Sequence, residues 1–308
     1  MTDSGKSLAQ TTEALDESDT YLDELSDIAL IDTLLSSQSK AVSALEIASS
    51  QLRAAINGAL EILKQPNSRL IYCGAGTSGR VALLDAVELN PTFSWPDSRM
   101  KILLAGGDES LVEAQEGAED DGEAARRALR ELAPGKSDIL VGIAASGTTP
   151  FVLAAVEEAR SLGALTIGFS NNANTPLLER VNLPVLLETG AEALAGSTRL
   201  AAGTSQKIAL NIFSTALMVR LGRVYKGRMV DMRVTNLKLG SRAIRIVCDI
   251  VGCTEDEARA ALHVTNDDIK SAVLVARGAD PMLAKETLER TDRNLADAID
   301  ILFPVNAG

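Results

Sequence analysis

Five short apolar runs, LIYC (70–73), ILLA (102–105), ILVGIA (139–144), LTIGF (165–169) and LPVLLE (183–188), interrupt an otherwise helical pattern. They are rich in branched residues and show no polar alternation, so each strand must be covered on both faces. Segments of helical periodicity lie between most of them, which is how a parallel sheet with crossover helices reads in sequence. The predicted fold is α/β, a doubly wound parallel five-stranded sheet. Composition agrees: of 308 residues 46 % are hydrophobic but 3 % aromatic, so the core must be built from Ala, Leu, Ile and Val.

Ahead of the sheet, apolar residues recur at three and four from Leu22 to Leu35 and from Val42 to Leu63, predicting two amphipathic helices that end at Pro66. The first ~20 residues are polar and are expected to be poorly ordered on their own. Beyond the sheet, TSQKIALNIFSTALMVRL (204–221) reads as a buried helix. Thr254 and Glu257 form a capping-box pattern, and Gly278 with Pro281 mark a stop and a start, so residues 254 to 302 are predicted as a small C-terminal three-helix unit. The expected division is 1–65 for the N-terminal tail and helices, 66–222 for the sheet domain and 223–308 for the helical region.

Thirty basic against 42 acidic residues give a formal charge of −12. Such a chain repels polyanions, so neither nucleic acid nor an anionic membrane surface is an expected partner. The N-terminus lacks the basic-then-apolar order of a secretory signal, and no apolar run approaches the ~20 residues needed to span a bilayer, so a cytoplasmic protein is expected. The cysteines are Cys73, Cys248 and Cys253, without a CxxC pair, and the one histidine is His263. Reduced thiols and no metal site are expected. A Ser-His-Asp or Cys-His mechanism would rest on that single histidine.

In an open parallel sheet, ligands bind beyond the carboxyl ends of the strands. Two loops there share one character: GAGTSGR after the first strand and ASGTTP after the third. Gly76, Gly79 and Gly147 permit close backbone approach, while Thr77, Ser78, Ser146, Thr148 and Thr149 supply hydroxyl donors beside helix N-termini. These are neutral groups suited to a phosphate. GAGTSG also contains G-x-G-x-x-G, but the second hydroxyl-rich loop is not needed by a dinucleotide site. Nor does an acidic residue end the second strand to hold a ribose: Asp108 and Glu109 come late, beyond two glycines.

These loops resemble those of sugar isomerase (SIS) domains. The ordered run GAGTSGR, LLDAVELNPTF, LAGGDES, EGAEDD, GIAASGTTPF, GSTRLAAGTSQK and DMRVTNLKL, from about residue 68 to 240, resembles the N-acetylmuramic acid 6-phosphate etherases. The resemblance implies a carbon–oxygen lyase, with D-lactate leaving C3 of a phosphosugar after proton removal from C2, and water then adding back, in cell-wall amino-sugar recycling. It implies no organic cofactor and no metal. It carries the two working carboxylates onto Glu88 and Glu119. Glu88 falls near the predicted C-terminal end of its helix, where carbonyl dipoles disfavour an anion, and so suits the acid; Glu119 precedes a helical run whose N-terminus favours a carboxylate, and so suits the base. Ser197, Thr198, Arg199 and Lys207 have two readings, substrate contact or capping of the long helix that follows.

The sequence departs from the family pattern in AVELNPTF, in ASGTTPF, which lacks an arginine after the glycine, and at Ala201, which stands in place of a lysine. LDESDTYLDELS also lacks the family's Arg-Asn-Pro. Two other readings share the same loops: an aldose–ketose phosphosugar isomerase, and a non-catalytic phosphosugar sensor similar to glucokinase regulatory protein. Release of D-lactate separates both from the etherase. A homodimer whose site borrows residues across its interface is expected.

Overall fold

The computed structural model describes residues 10–15, 21–113, 115 and 117–304. The predicted disorder of the first residues falls largely on 1–9 and 16–20, which lie outside the described residues. The chain divides into two units, Met1–Ala86 with Asp97–Ser214, and Val87–Pro96 with Thr215–Gly308.

In the first unit the N-terminal periodicity becomes α1 (Asp27–Ile47) and α2 (Ser49–Leu63). The Ser26 hydroxyl accepts the Ala29 N–H at the start of α1, and α2 buries Leu52, Ala55, Ala59 and Leu63. Then follow β1 (Arg69–Gly74), α3 (Gly76–Phe93), β2 (Met100–Leu104), α4 (Gly122–Leu132), β3 (Asp138–Ile143), α5 (Pro150–Ser161), β4 (Leu165–Ser170), α6 (Pro176–Arg180), β5 (Leu183–Leu186) and α7 (Ala201–Arg220), the last residues of α3 and α7 counting with the second unit. All five predicted strands form. They make one sheet of order β2-β1-β3-β4-β5, and every pairing is parallel, with Tyr72 opposite both Ile102 and Val141.

Alternate residues of each strand serve opposite faces. Ile71, Cys73 and Leu140 pack with Leu129 of α4, Phe151, Val152 and Val156 of α5 and Leu177 of α6. On the other face Phe169 meets Phe213 of α7 edge-on, with ring centroids 6.2 Å apart. Gly142 and Gly168 are register partners; a Cβ on Gly142 would lie 2.9 Å from Val152 of α5 and one on Gly168 would lie 3.1 Å from Leu177 of α6, so these glycines let the two helices close onto the sheet. The strand order reverses direction at β1, leaving a crevice between the carboxyl ends of β1 and β3, the switch point where ligands bind in open sheets.

The second unit holds a short hairpin, β6 (Val224–Tyr225) and β7 (Arg228–Met229), followed by α8 (Leu237–Val251). The segment predicted as three helices forms four: α9 (Glu255–Val264), α10 (Ile269–Ala276), α11 (Pro281–Arg290) and α12 (Leu295–Leu302). Two of the breaks lack the glycine or proline that marks a helix end in sequence. They are made by non-glycine residues in left-handed backbone, Asn266 and Asp267 in one and Asp292 and Arg293 in the other. The two turns match atom for atom. Thr265 Oγ1 donates within reach of the Ala261, Leu262 and Asp268 carbonyls, and Thr291 Oγ1 does the same toward Thr287, Leu288 and Asn294. Asp268 and Asn294 then cap α10 and α12. Within this unit α9 to α12 are two copies of one helical hairpin with a shared core that includes Leu262, Ile269, Val273, Leu288, Leu295 and Ile299.

Candidate active site

Both predicted loops meet at the switch-point crevice. After β1 the chain turns at Gly76, whose φ is +52°, directly into α3, so the first turn of α3 borders the crevice with Thr77 and the buried Ser78. Gly79 sits under this turn: a Cβ there would lie 2.8 Å from the Gly74 carbonyl oxygen and 2.3 Å from Leu104. In the second loop the Ser146 hydroxyl accepts the Thr148 N–H at 3.2 Å and lies 3.5 Å from Thr149 Oγ1, while Pro150 opens α5. Two helix N-termini thus converge with five hydroxyls on one crevice, an arrangement that stabilises a phosphate without a full positive charge.

The crevice is a cavity of about 370 Å³, lined by Gly76, Thr77 and Ser78 from the first loop and Ser146, Thr148 and Thr149 from the second. Glu119, Asp120 and Thr198 also line it, as do Gln10 and Glu13. Glu119 reaches it on a short 3-10 turn, Ala118–Asp120, which follows Gly117 at φ +74° and precedes the Asp121 cap of α4. Glu119 also borders an adjoining cavity of about 300 Å³ that includes Arg80. Arg80 does not face a ligand freely, because its guanidinium donates to the Ser110 carbonyl at 3.0 and 2.7 Å.

Several sequence candidates lie outside this lining: Glu88, Gly79, Gly147, Ser197, Arg199 and Lys207. Gly147 supports the loop from beneath, and Lys207 donates to the Asn211 amide oxygen. Glu88 is exposed on α3. The capping alternative for Ser197 and Thr198 is also answered. The α7 N-terminus is capped by Glu192, whose carboxylate accepts the Ala201 and Ala202 N–H groups at 3.0 and 2.9 Å. Glu192 lies well upstream in a run without a cap pattern, so no local signal marks it.

Sequence reasoning also missed Asp85, one buried carboxylate on α3. It accepts hydrogen bonds from Tyr72 at 3.0 Å, Asn211 at 2.7 Å and Ser214 at 3.0 Å. Burial pushes its carboxyl up, against the opposing effect of those three donors and of Lys207 nearby. A larger cavity, about 510 Å³, lies wholly in the second unit beside Asp231. Most of its charges are committed to one another: Asp231 pairs with Lys270 at 2.6 Å and Arg223 at 3.2 Å, and Arg293 with Asp268 at 2.5 Å. It lacks the converging hydroxyl loops, so the smaller cavity is the candidate site. Among the described residues no group of His, Cys, Asp and Glu is placed to hold a metal ion.

Fold and cavity together define a doubly wound α/β protein with a hydroxyl-lined anion cradle at its switch point. Residues 52–160 match the model of the glucokinase regulatory protein N-terminal SIS domain. A curated N-acetylmuramic acid 6-phosphate etherase from Deinococcus radiodurans is 49 % identical over 87 % of this chain and 88 % of its own length. The Yersinia pestis enzyme of the same name is 41 % identical over 87 % and 91 %. A solved phosphoheptose isomerase from Francisella tularensis is similar at 16 % identity and a TM-score of 0.47, covering 63 % of this chain and all of that one. The chain belongs to the N-acetylmuramic acid 6-phosphate etherase family.

Proposed function

We infer that the protein cleaves the D-lactyl ether of N-acetylmuramic acid 6-phosphate, yielding N-acetylglucosamine 6-phosphate and D-lactate. The observation that carries this is the coincidence, in a chain 49 % identical to a curated etherase, of a phosphate cradle with Glu119 on the wall of the same cavity. Thr77, Ser78, Ser146, Thr148 and Thr149 take the phosphate, with Thr198 beside them. The sugar reacts as its open aldehyde, because only then is C2 α to a carbonyl and its proton acidic. Glu119 takes that proton, the electron pair forms the C2–C3 double bond, and the C3–O bond breaks as the lactyl oxygen is protonated. Water then adds at C3, and C2 regains a proton. Each proton transfer contributes about 10²- to 10⁴-fold. Anchoring the phosphate keeps the flexible open chain aligned with the carboxylates.

Glu88 is assigned as the acid, acting from a second copy of the chain. Supporting this, Glu88 is absent from the lining of its own cavity and exposed on α3, where Leu84 and Val87 are exposed too. The proposed homodimer also has an uncovered face on α1, where Ile28, Ile31 and Leu35 are 76, 58 and 65 % exposed. Three cysteines without a disulfide among the described residues suit a cytoplasmic reaction. No helix among the described residues is long and apolar enough to cross a membrane.

The test is release of D-lactate from N-acetylmuramic acid 6-phosphate. Tight phosphosugar binding without lactate would replace the enzyme by a sensor. Glu119→Gln is expected to lose at least about 100-fold in kcat and to stop exchange of the C2 hydrogen with solvent deuterium. Glu88→Gln and Glu119→Gln chains, each inactive, should regain activity when mixed, since one of the two sites then holds both native carboxylates. Mixed chains that stay inactive would place Glu88 in its own copy's site or outside the reaction.

A further inference from the structure

The short turn Thr11–Glu13 is pinned against the site by its middle residue. Thr12 is fully buried, and Asn172 grips it from both sides: the Thr12 N–H and the Thr11 hydroxyl donate to Asn172 Oδ1 at 3.3 and 3.0 Å, and Asn172 Nδ2 donates to Thr12 Oγ1 at 3.0 Å. The same Nδ2 donates to the Ala145 carbonyl at 2.9 Å, at the root of the Ser146 loop. Gly196 N–H donates to the Thr12 carbonyl at 2.9 Å, and Gln10 Nε2 to Thr148 Oγ1 at 3.3 Å. The turn is therefore fastened to the phosphate loop on one side and to the Gly196–Thr198 segment on the other.

This clamp delivers Glu13 into the cavity. Its carboxylate lies against Gly196, where a Cβ would come within 2.7 Å of Oε2, and Gly196 has a φ of +74° that any other residue would find strained. Among the described residues the Glu13 carboxylate has no hydrogen-bonding or ionic partner, although Glu119 and Asp120 face the same cavity and no lysine or arginine lines it. A ligand phosphate is repelled by such a carboxylate, so Glu13 and the two hydroxyl loops must serve opposite ends of the bound molecule. What an unpartnered carboxylate takes is a neutral donor, a sugar hydroxyl or an amide N–H, with a charge-assisted hydrogen bond.

We propose that Glu13, held by the Thr12–Asn172 clamp, is a substrate-positioning residue that binds the non-phosphate, hydroxyl-bearing end of the sugar and selects a monophosphorylated ligand over one phosphorylated at both ends. The proposal rests on the phosphosugar reading of the cavity but not on the lyase chemistry. It assigns the N-terminal turn to specificity, and it fixes the direction in which the sugar lies: phosphate at the α3 and α5 N-termini, hydroxyls toward Gly196.

Calorimetric titration of the full-length protein with N-acetylglucosamine 6-phosphate and, separately, with inorganic phosphate tests it. Glu13→Ala is expected to weaken the phosphosugar by about 10- to 100-fold, the range of a hydrogen bond to a charged group, and to leave inorganic phosphate unchanged or slightly tighter. Glu13→Gln should also gain affinity for a hexose bisphosphate. Thr12→Val, which breaks the clamp, should weaken the phosphosugar similarly, and the double variant should be no weaker than either single one. Equal binding by wild type and the Glu13 variants, or equal weakening of both ligands, overturns the proposal. Wild-type protein that binds no phosphosugar overturns the functional reading and this proposal together, whereas normal binding without lactate release removes only the lyase.

Discussion

Gly147 shows how much of the site depends on atoms that never touch a ligand. Its φ is +67°, and a Cβ would come within 2.3 Å of Thr175 Oγ1 and 2.6 Å of Ser170 Oγ. Gly147→Ala is expected to cost about 1–3 kcal/mol from backbone strain and displaced hydroxyls, read as a lower melting temperature with weakened phosphosugar binding. The hydroxyl loops were legible in sequence because strand, glycine turn and helix start are consecutive in the chain. Glu13, Asn172, Glu192 and Asp85 were not, because their roles come from partners far away in sequence, as when Asn172 meets Thr12. Glu119 became visible through resemblance, since nothing local separates it from the other acidic residues.

At the scale of elements, the strands and their parallel order followed from continuous apolar runs, and the α9 cap from Thr254 and Glu257. In the structure Thr254 Oγ1 accepts the Glu257 N–H, and the Glu257 carboxylate accepts the Thr254 N–H at 2.8 Å. That backbone hydrogen bond, with one from the Thr254 hydroxyl, holds the Glu257 carboxyl below its ordinary 4.5. A lowered acid contributes stability above its unfolded value, and loses it as pH falls through the folded one. Thr254→Ala is expected to destabilise the second unit by about 1 kcal/mol at pH 7. Glu257→Gln should melt lower than wild type at neutral pH, with the gap closing once the pH is taken well below 4.5. Calorimetric melts across pH read both. The breaks after α9 and α11 escaped prediction because Asn266, Asp267, Asp292 and Arg293 turn the chain in left-handed backbone without a glycine. The repeated Thr265 and Thr291 bonds hold those turns, at positions where Asn266, Asp267 and Asp292 tolerate left-handed backbone better than most non-glycine residues.

For the whole molecule, the uncovered apolar side chains are the expected seat of self-association. Ile31 and Leu35 lie on one face of α1, more than half exposed. The double change Ile31→Glu with Leu35→Glu is expected to yield a monomer by sedimentation, with phosphosugar binding kept and lactate release lost if Glu88 acts from the second copy as proposed. A monomer with full activity would confine the chemistry to one copy. The expectation of a dimer came without a surface for it, because an exposed helix face and a buried one share the same periodicity.

The cradle of hydroxyls and helix ends also has a bearing on how the protein works in a salty cell. Backbone N–H groups and hydroxyls are fixed dipoles at short range, and mobile ions do not screen them as they screen a lysine at the surface. Hold on the phosphate should therefore change little as ionic strength rises. A free inorganic phosphate finds hydrogen bonds there but no cation on the cavity wall, so it competes poorly with a sugar that also engages the far end. Occupancy is governed by shape and donor placement, and the fixed dipoles of the cradle hold the phosphate against the general repulsion of a chain whose formal charge is −12.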